Sequence, residues 1–111
     1  MRILPFAALV LAAPPLFAQS ESLSGTYRIN GLNPDGSAYT GELVLVGEGT
    51  SVQAGWSVAG QAYAGKGQLE GRILTLNFGD PTPITYVLMP DGSLHGTWSD
   101  GHALEKASPK N

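Results

Sequence analysis

The chain has 111 residues, no cysteine, 15 glycines, and nine acidic residues against six basic ones. This length suits one small domain, and the missing cysteines exclude a disulfide framework, thiol chemistry and thiolate metal sites. The acidic balance, with its few basic residues scattered, argues against a nucleic-acid groove or an anionic membrane surface, both of which need clustered Lys and Arg.

The first element is an export signal. Arg2 supplies the positive start, "ILPFAALVLAAPPLFA" the apolar stretch, and Ala18 the last residue before cleavage. The run is shorter than the roughly 20 apolar residues of a membrane span and contains Pro5, Pro14 and Pro15, which also disfavour a buried helix. The expected organisation is a signal peptide over 1–18 and one domain over 19–111. The mature chain is expected in the periplasm or outside the cell, with no membrane insertion and no nucleic-acid partner.

From there on the apolar pattern has period two and no sustained helical period. "GTYRI" turns Gly25, Tyr27 and Ile29 inward. "AYTGELVLVG" turns Tyr39, Gly41, Leu43 and Leu45 inward and Glu42 to water. "SVQAGWSVAG" places Val52, Ala54, Trp56 and Val58 inside, and "QAYAGKGQLE" places Tyr63, Gly65, Gly67 and Leu69 there. "RILTLNF" contributes Leu74, Leu76 and Phe78. "ITYVL" contributes Ile84, Tyr86 and Leu88. "LHGTW" contributes Leu94, Gly96 and Trp98, and "HALEKA" contributes Leu104. Turn chemistry separates these runs. The Pro-Asp-Gly tripeptides in "NPDGS" and "MPDGS" preset a turn, bond back to the backbone and take the left-handed conformation. "GEGT", "AGQA", "LEGR", "GDPTP" and "SDG" mark the remaining connections.

Eight short strands with tight connections make an antiparallel meander, and closure into a barrel removes its two edges. Four times an aromatic residue stands two positions from a glycine: Tyr39–Gly41, Tyr63–Gly65, Gly25–Tyr27 and Gly96–Trp98. In a narrow barrel large interior residues must alternate with small ones, so the glycines are expected to make room for rings from neighbouring strands. These rings either form a packed core, which the short chain favours, or line a ligand cavity. In the second case Tyr39, Trp56, Tyr63, Tyr86 and Trp98 are the candidate lining.

Chemistry is sparse. His95 should point outward and His102 should sit near a turn. Asp100, His102 and Glu105 are close in sequence, but this spacing is common by chance, and a solvated surface is the expected reading. No Gly-x-Ser-x-Gly elbow, phosphate cradle or calcium loop occurs, so no cofactor, metal or catalytic residue is assigned. Val44, Val46, Ile73, Val87 and Met89 alternate with inward residues and are expected to form an apolar outer surface that could meet a partner.

The strings "NPDGSAYTGEL", "GWSVAGQAYAGKGQLEG", "TPITYVL", "DGSLHGTW" and "GHALE", in that order over 25–105, resemble a group of small exported proteobacterial proteins often labelled fibronectin-binding or left uncharacterised. The resemblance implies a periplasmic or secreted protein that is not an enzyme, and it transfers no catalytic residue. One departure is Phe78 in "NFG", where the group leads one to expect Trp. The reading placed first is an exported barrel that binds a protein or extracellular-matrix partner. The alternative is a carrier for a small apolar ligand, and an enzyme using His95 or His102 ranks last.

Overall fold

The computed structural model describes residues 16–110. Most of the expected export signal therefore lies outside the described residues. Eight strands follow in chain order: β1 (Gly25–Leu32), β2 (Ala38–Glu48), β3 (Ser51–Val58), β4 (Gln61–Glu70), β5 (Ile73–Asn77), β6 (Ile84–Leu88), β7 (Leu94–Trp98) and β8 (Ala103–Pro109). Each pairs antiparallel with the next, and β8 pairs with β1, so the meander closes into a barrel. Followed from strand to strand, the paired register returns to β1 displaced by about ten residues; this stagger tilts the strands and sets the barrel's width.

The interior follows from strand alternation. Ile29, Leu43, Leu45, Val52, Leu74, Leu76 and Leu94 are buried, while the residues between them face water. Seven of the eight strands point the expected residues inward. β8 is the exception. Leu104 is exposed, and Ala103, Glu105 and Ala107 are buried instead. Leu104 stands opposite Leu32 of β1, also exposed, so the two leucines pair on the outer surface.

The two ends of the barrel differ. At one end the connections are β2–β3, β4–β5 and β6–β7. A 3-10 segment, Leu16–Leu23, closes this end, although the sequence shows no helical period there. Tertiary contacts hold it. Leu23 enters the core, and the Tyr27 hydroxyl donates to the Leu23 carbonyl at 2.7 Å. The buried Ser20 hydroxyl donates to the Gly49 carbonyl. Gly47 leaves the space that the Ser20 backbone occupies, which any Cβ would fill. At the other end lie the connections β1–β2, β3–β4, β5–β6 and β7–β8, and this end is open. Three non-glycine residues with left-handed backbone, Ala59, Ser99 and Asp100, all sit in turns at this open end.

Candidate functional site

The open end holds a cavity of about 400 Å³. Its floor and walls are Tyr39, Trp56, Tyr63, Phe78 and Trp98, with Val58, Ala59, Ile84 and Asn33 between them and Glu105 at depth. The rings pack together, Tyr39 and Phe78 each meeting Trp98 edge to face and Phe78 meeting Trp56 at a tilt. Phe78 lies 5.9 Å from Trp56 and 6.3 Å from Trp98, and Tyr39 lies 6.3 Å from Trp98, centroid to centroid.

A row of residues across five strands builds the base of this site. Gly31 of β1 pairs with Tyr39 of β2 on one side and with Glu105 of β8 on the other. Gly96 of β7 pairs with Glu105 on one side and with Tyr86 of β6 on the other. The row therefore reads Tyr39, Gly31, Glu105, Gly96, Tyr86. Each glycine is the gap over which a tyrosine ring leans. A Cβ on Gly96 would come within 2.6 Å of the Tyr86 ring, and one on Gly31 would run into the Tyr39 ring. Both hydroxyls thereby reach the same carboxylate. Tyr39 donates to Oε1 at 2.7 Å, and Tyr86 donates to Oε2.

Trp56 reaches the carboxylate from across the barrel. Its Nε1–H donates to Glu105 Oε2 at 3.1 Å and lies 3.2 Å from the Tyr86 hydroxyl. Gly65 makes room for this indole, since a Cβ there would meet Cζ3 at 2.8 Å. The Trp98 indole N–H donates to the Tyr39 hydroxyl at 2.9 Å and so joins the mouth to the same network. Glu105 is only 6% exposed. Burying a carboxylate is costly unless it is hydrogen-bonded, and the three converging donors satisfy that requirement. Burial first, then the neighbouring Glu105, pushes the ionisation of Tyr39 and Tyr86 well above the ordinary tyrosine range, so both hydroxyls stay protonated and donating.

The five aromatic residues expected as candidate lining all belong to this region, at different depths. Trp56 is buried and Tyr86 fully so; Tyr86 lies beneath the cavity and holds Glu105 without lining the opening. Tyr39 and Trp98 are half-buried, and Tyr63 is a rim residue at 48% exposure. The interior is therefore neither wholly packed nor wholly hollow: the closed half is a packed core, and the open half is a cavity. The glycine expectation holds at Gly65 and Gly96. It fails at Gly25, which has open space around it, and at Gly41, whose nearest neighbours are the Ser57 carbonyl and the Val58 side chain and not a ring.

Glu105, expected on a solvated surface with Asp100 and His102, is buried instead, and the sequence misplaces it because its strand offers two ambiguous faces. Ala103, Glu105 and Ala107 carry one charge, and so do Leu104, Lys106 and Ser108. The larger apolar residue pointed to the wrong one. The glycines facing it, Gly31 and Gly96, are the signal that a bulky polar network needs room there.

The remaining candidates are scattered. His95 is exposed on β7, and His102 is exposed in the β7–β8 turn, its Nδ1 2.9 Å from the Ser99 carbonyl. No group of three or more His, Cys, Asp or Glu able to hold a metal occurs among the described residues. Val44, Val46, Ile73 and Val87 are exposed, but Met89 is half-buried. They do not make one strip: Ile73 and Val87 pair across β5–β6, while Val44 and Val46 lie on β2, on the opposite side of the barrel from β6.

A comparison with protein-family profiles finds no match, and neither does one with curated protein sequences. Two solved structures are similar in fold. One is a redesigned β-barrel, 15% identical, with a TM-score of 0.61, covering 85% of this chain and 97% of the other. The second is a de novo designed fluorescence-activating β-barrel, 16% identical, with a TM-score of 0.57, covering 84% of this chain and 98% of that one. At these identities the likeness establishes the barrel fold and nothing finer.

Proposed function

We propose that the protein is an exported small-molecule binding barrel and that its ligand enters the aromatic mouth. The observation that carries this reading is the convergence of five aromatic side chains and one buried carboxylate on the cavity of about 400 Å³ at the open end. The cavity falls within the roughly 300–1,000 Å³ range of small-ligand pockets and has their composition, apolar walls with a few convergent polar groups. A protein partner remains the second reading; of the outer residues expected for it, Ile73 and Val87 lie on one side of the barrel and Val44 and Val46 on the other.

The test is binding of Nile red, a neutral apolar dye, to the purified chain, compared with a Val58→Trp variant that fills the mouth. Dye emission should rise with the unmodified chain, and the variant should lose most of that rise while keeping its far-ultraviolet circular dichroism. Equal dye binding by both proteins would place the dye elsewhere and contradict the proposal.

A further inference from the structure

We infer that the cavity selects an organic cation, a small amine with an apolar body, whose charged head meets Glu105 while its body lies against the rings. The inference rests on the mouth being a ligand site and adds the chemical class of the ligand.

Three observations carry it. First, Glu105 lines the cavity and no Lys, Arg or His does. The ion pair among the described residues, Lys110 with Glu42, lies on the outer surface. A buried carboxylate with only neutral donors around it leaves a negative potential inside a low-dielectric space. Second, its acceptor capacity is not exhausted. An ionised carboxylate has about four acceptor positions. Oε2 takes the Tyr86 hydroxyl and the Trp56 indole, whereas among the described residues Oε1 takes only the Tyr39 hydroxyl from a side chain. A position on Oε1 can therefore accept a ligand N–H. Third, the walls are the ring type that attracts cations. Tyr39, Trp56, Phe78 and Trp98 surround the same space, and aromatic faces stabilise ammonium groups.

The same features disfavour other ligands. An anion would meet the Glu105 charge with no basic group to offset it. The donors at the base (Tyr39, Tyr86 and Trp56) already point to the carboxylate, so they offer little to a ligand that brings only acceptors. A neutral alcohol could use the Oε1 position but would gain nothing from the potential or the ring faces.

Four probes with one benzene ring each separate these cases: phenethylamine (protonated at neutral pH), benzyltrimethylammonium, 2-phenylethanol and phenylacetate. Titration calorimetry with the unmodified chain should show phenethylamine bound about tenfold tighter than 2-phenylethanol, with phenylacetate weakest. Benzyltrimethylammonium, which has charge but no donor, should also exceed 2-phenylethanol. In Glu105→Gln the advantage of phenethylamine over 2-phenylethanol should fall toward unity. The comparison within the unmodified chain decides the question even if that variant does not fold. Equal affinity for phenethylamine and 2-phenylethanol, with Nile red still bound, would overturn the cation inference and leave the ligand site standing. Failure of every probe, Nile red included, would overturn both.

Discussion

The closed and open halves of the barrel are built on the same strands with the same alternation, yet they solve opposite problems. Toward the closed end, inward positions are Ile29, Leu43, Leu45, Val52, Leu74, Leu76 and Leu94, all buried, and Leu23 of the 3-10 segment seals them. Toward the open end, inward positions carry rings, hydroxyls and indoles around one carboxylate. The left-handed non-glycine residues all fall at the open end, where turns at Ala59, Ser99 and Asp100 shape the rim. Backbone strain and buried polar groups oppose stability, and they persist where function needs a fixed geometry. The closed half therefore supplies the folding energy that lets the open half keep a cavity and a buried charge. In a chain without cysteine, no disulfide shares that task.

The packed half should give the largest losses. Leu43→Ala removes a fully buried side chain there and should cost about 3–5 kcal/mol, read from urea unfolding. Trp98→Ala at the mouth should cost about 1–2 kcal/mol despite the larger residue, because Trp98 is already half-exposed and its loss enlarges an open space. If the two losses were equal or reversed, the division of labour between the halves would be wrong. Gly96→Ala acts at the base of the network. Its new methyl would meet the Tyr86 ring and, at 2.8 Å, the Thr85 carbonyl, so a loss of about 1–3 kcal/mol is expected, together with a weaker Tyr86–Glu105 bond. A neutral outcome would mean that Tyr86 has room to move and that the glycine is not the gap it leans over.

Alkaline pH probes the same contrast. The ionisation of Tyr27, Tyr39 and Tyr86 is raised in the folded protein, by burial first in each case. The unfolded chain releases these protons near pH 10, while the folded chain keeps them. Stability from these groups is therefore complete below pH 10 and is lost as pH rises above it, with a slope of about 1.4 kcal/mol per pH unit for the deeply buried Tyr86. Urea midpoints that stay level from pH 8 to pH 11 would contradict this. The smallest expected effect is at the rim. Ala59→Gly relieves a left-handed alanine in the β3–β4 turn and should raise stability by about 0.5 kcal/mol.

The sequence was most informative where only one face could be apolar. Glu42, Arg28 and Lys66 marked the water side of their strands, so Leu43, Ile29 and Leu69 had to turn inward, and the Pro-Asp-Gly turns set the connections. Alternation carries no information about depth along the barrel. Tyr63 and Tyr86 both point inward by parity, yet one stands at the rim and the other lies under the cavity floor. Nor could alternation orient β8, where a charge occurs on either face. Choosing the larger apolar residue, Leu104, placed Glu105 outside and hid the centre of the site. The physical rule that fails there is that charges face water, and it fails because three donors from β2, β3 and β6 converge on that one carboxylate.

The chain has two tryptophans, and both indoles belong to the network at the mouth. A ¹⁵N-labelled sample therefore reports the site through two indole N–H signals, and the closed half through the amides of Ile29, Leu43 and Leu45. On titration with phenethylamine, both indole signals should move in a saturable manner while those three amides stay in place. Indole signals that move with neither phenethylamine nor Nile red, or shifts spread evenly over both halves, would contradict a ligand site confined to the open end.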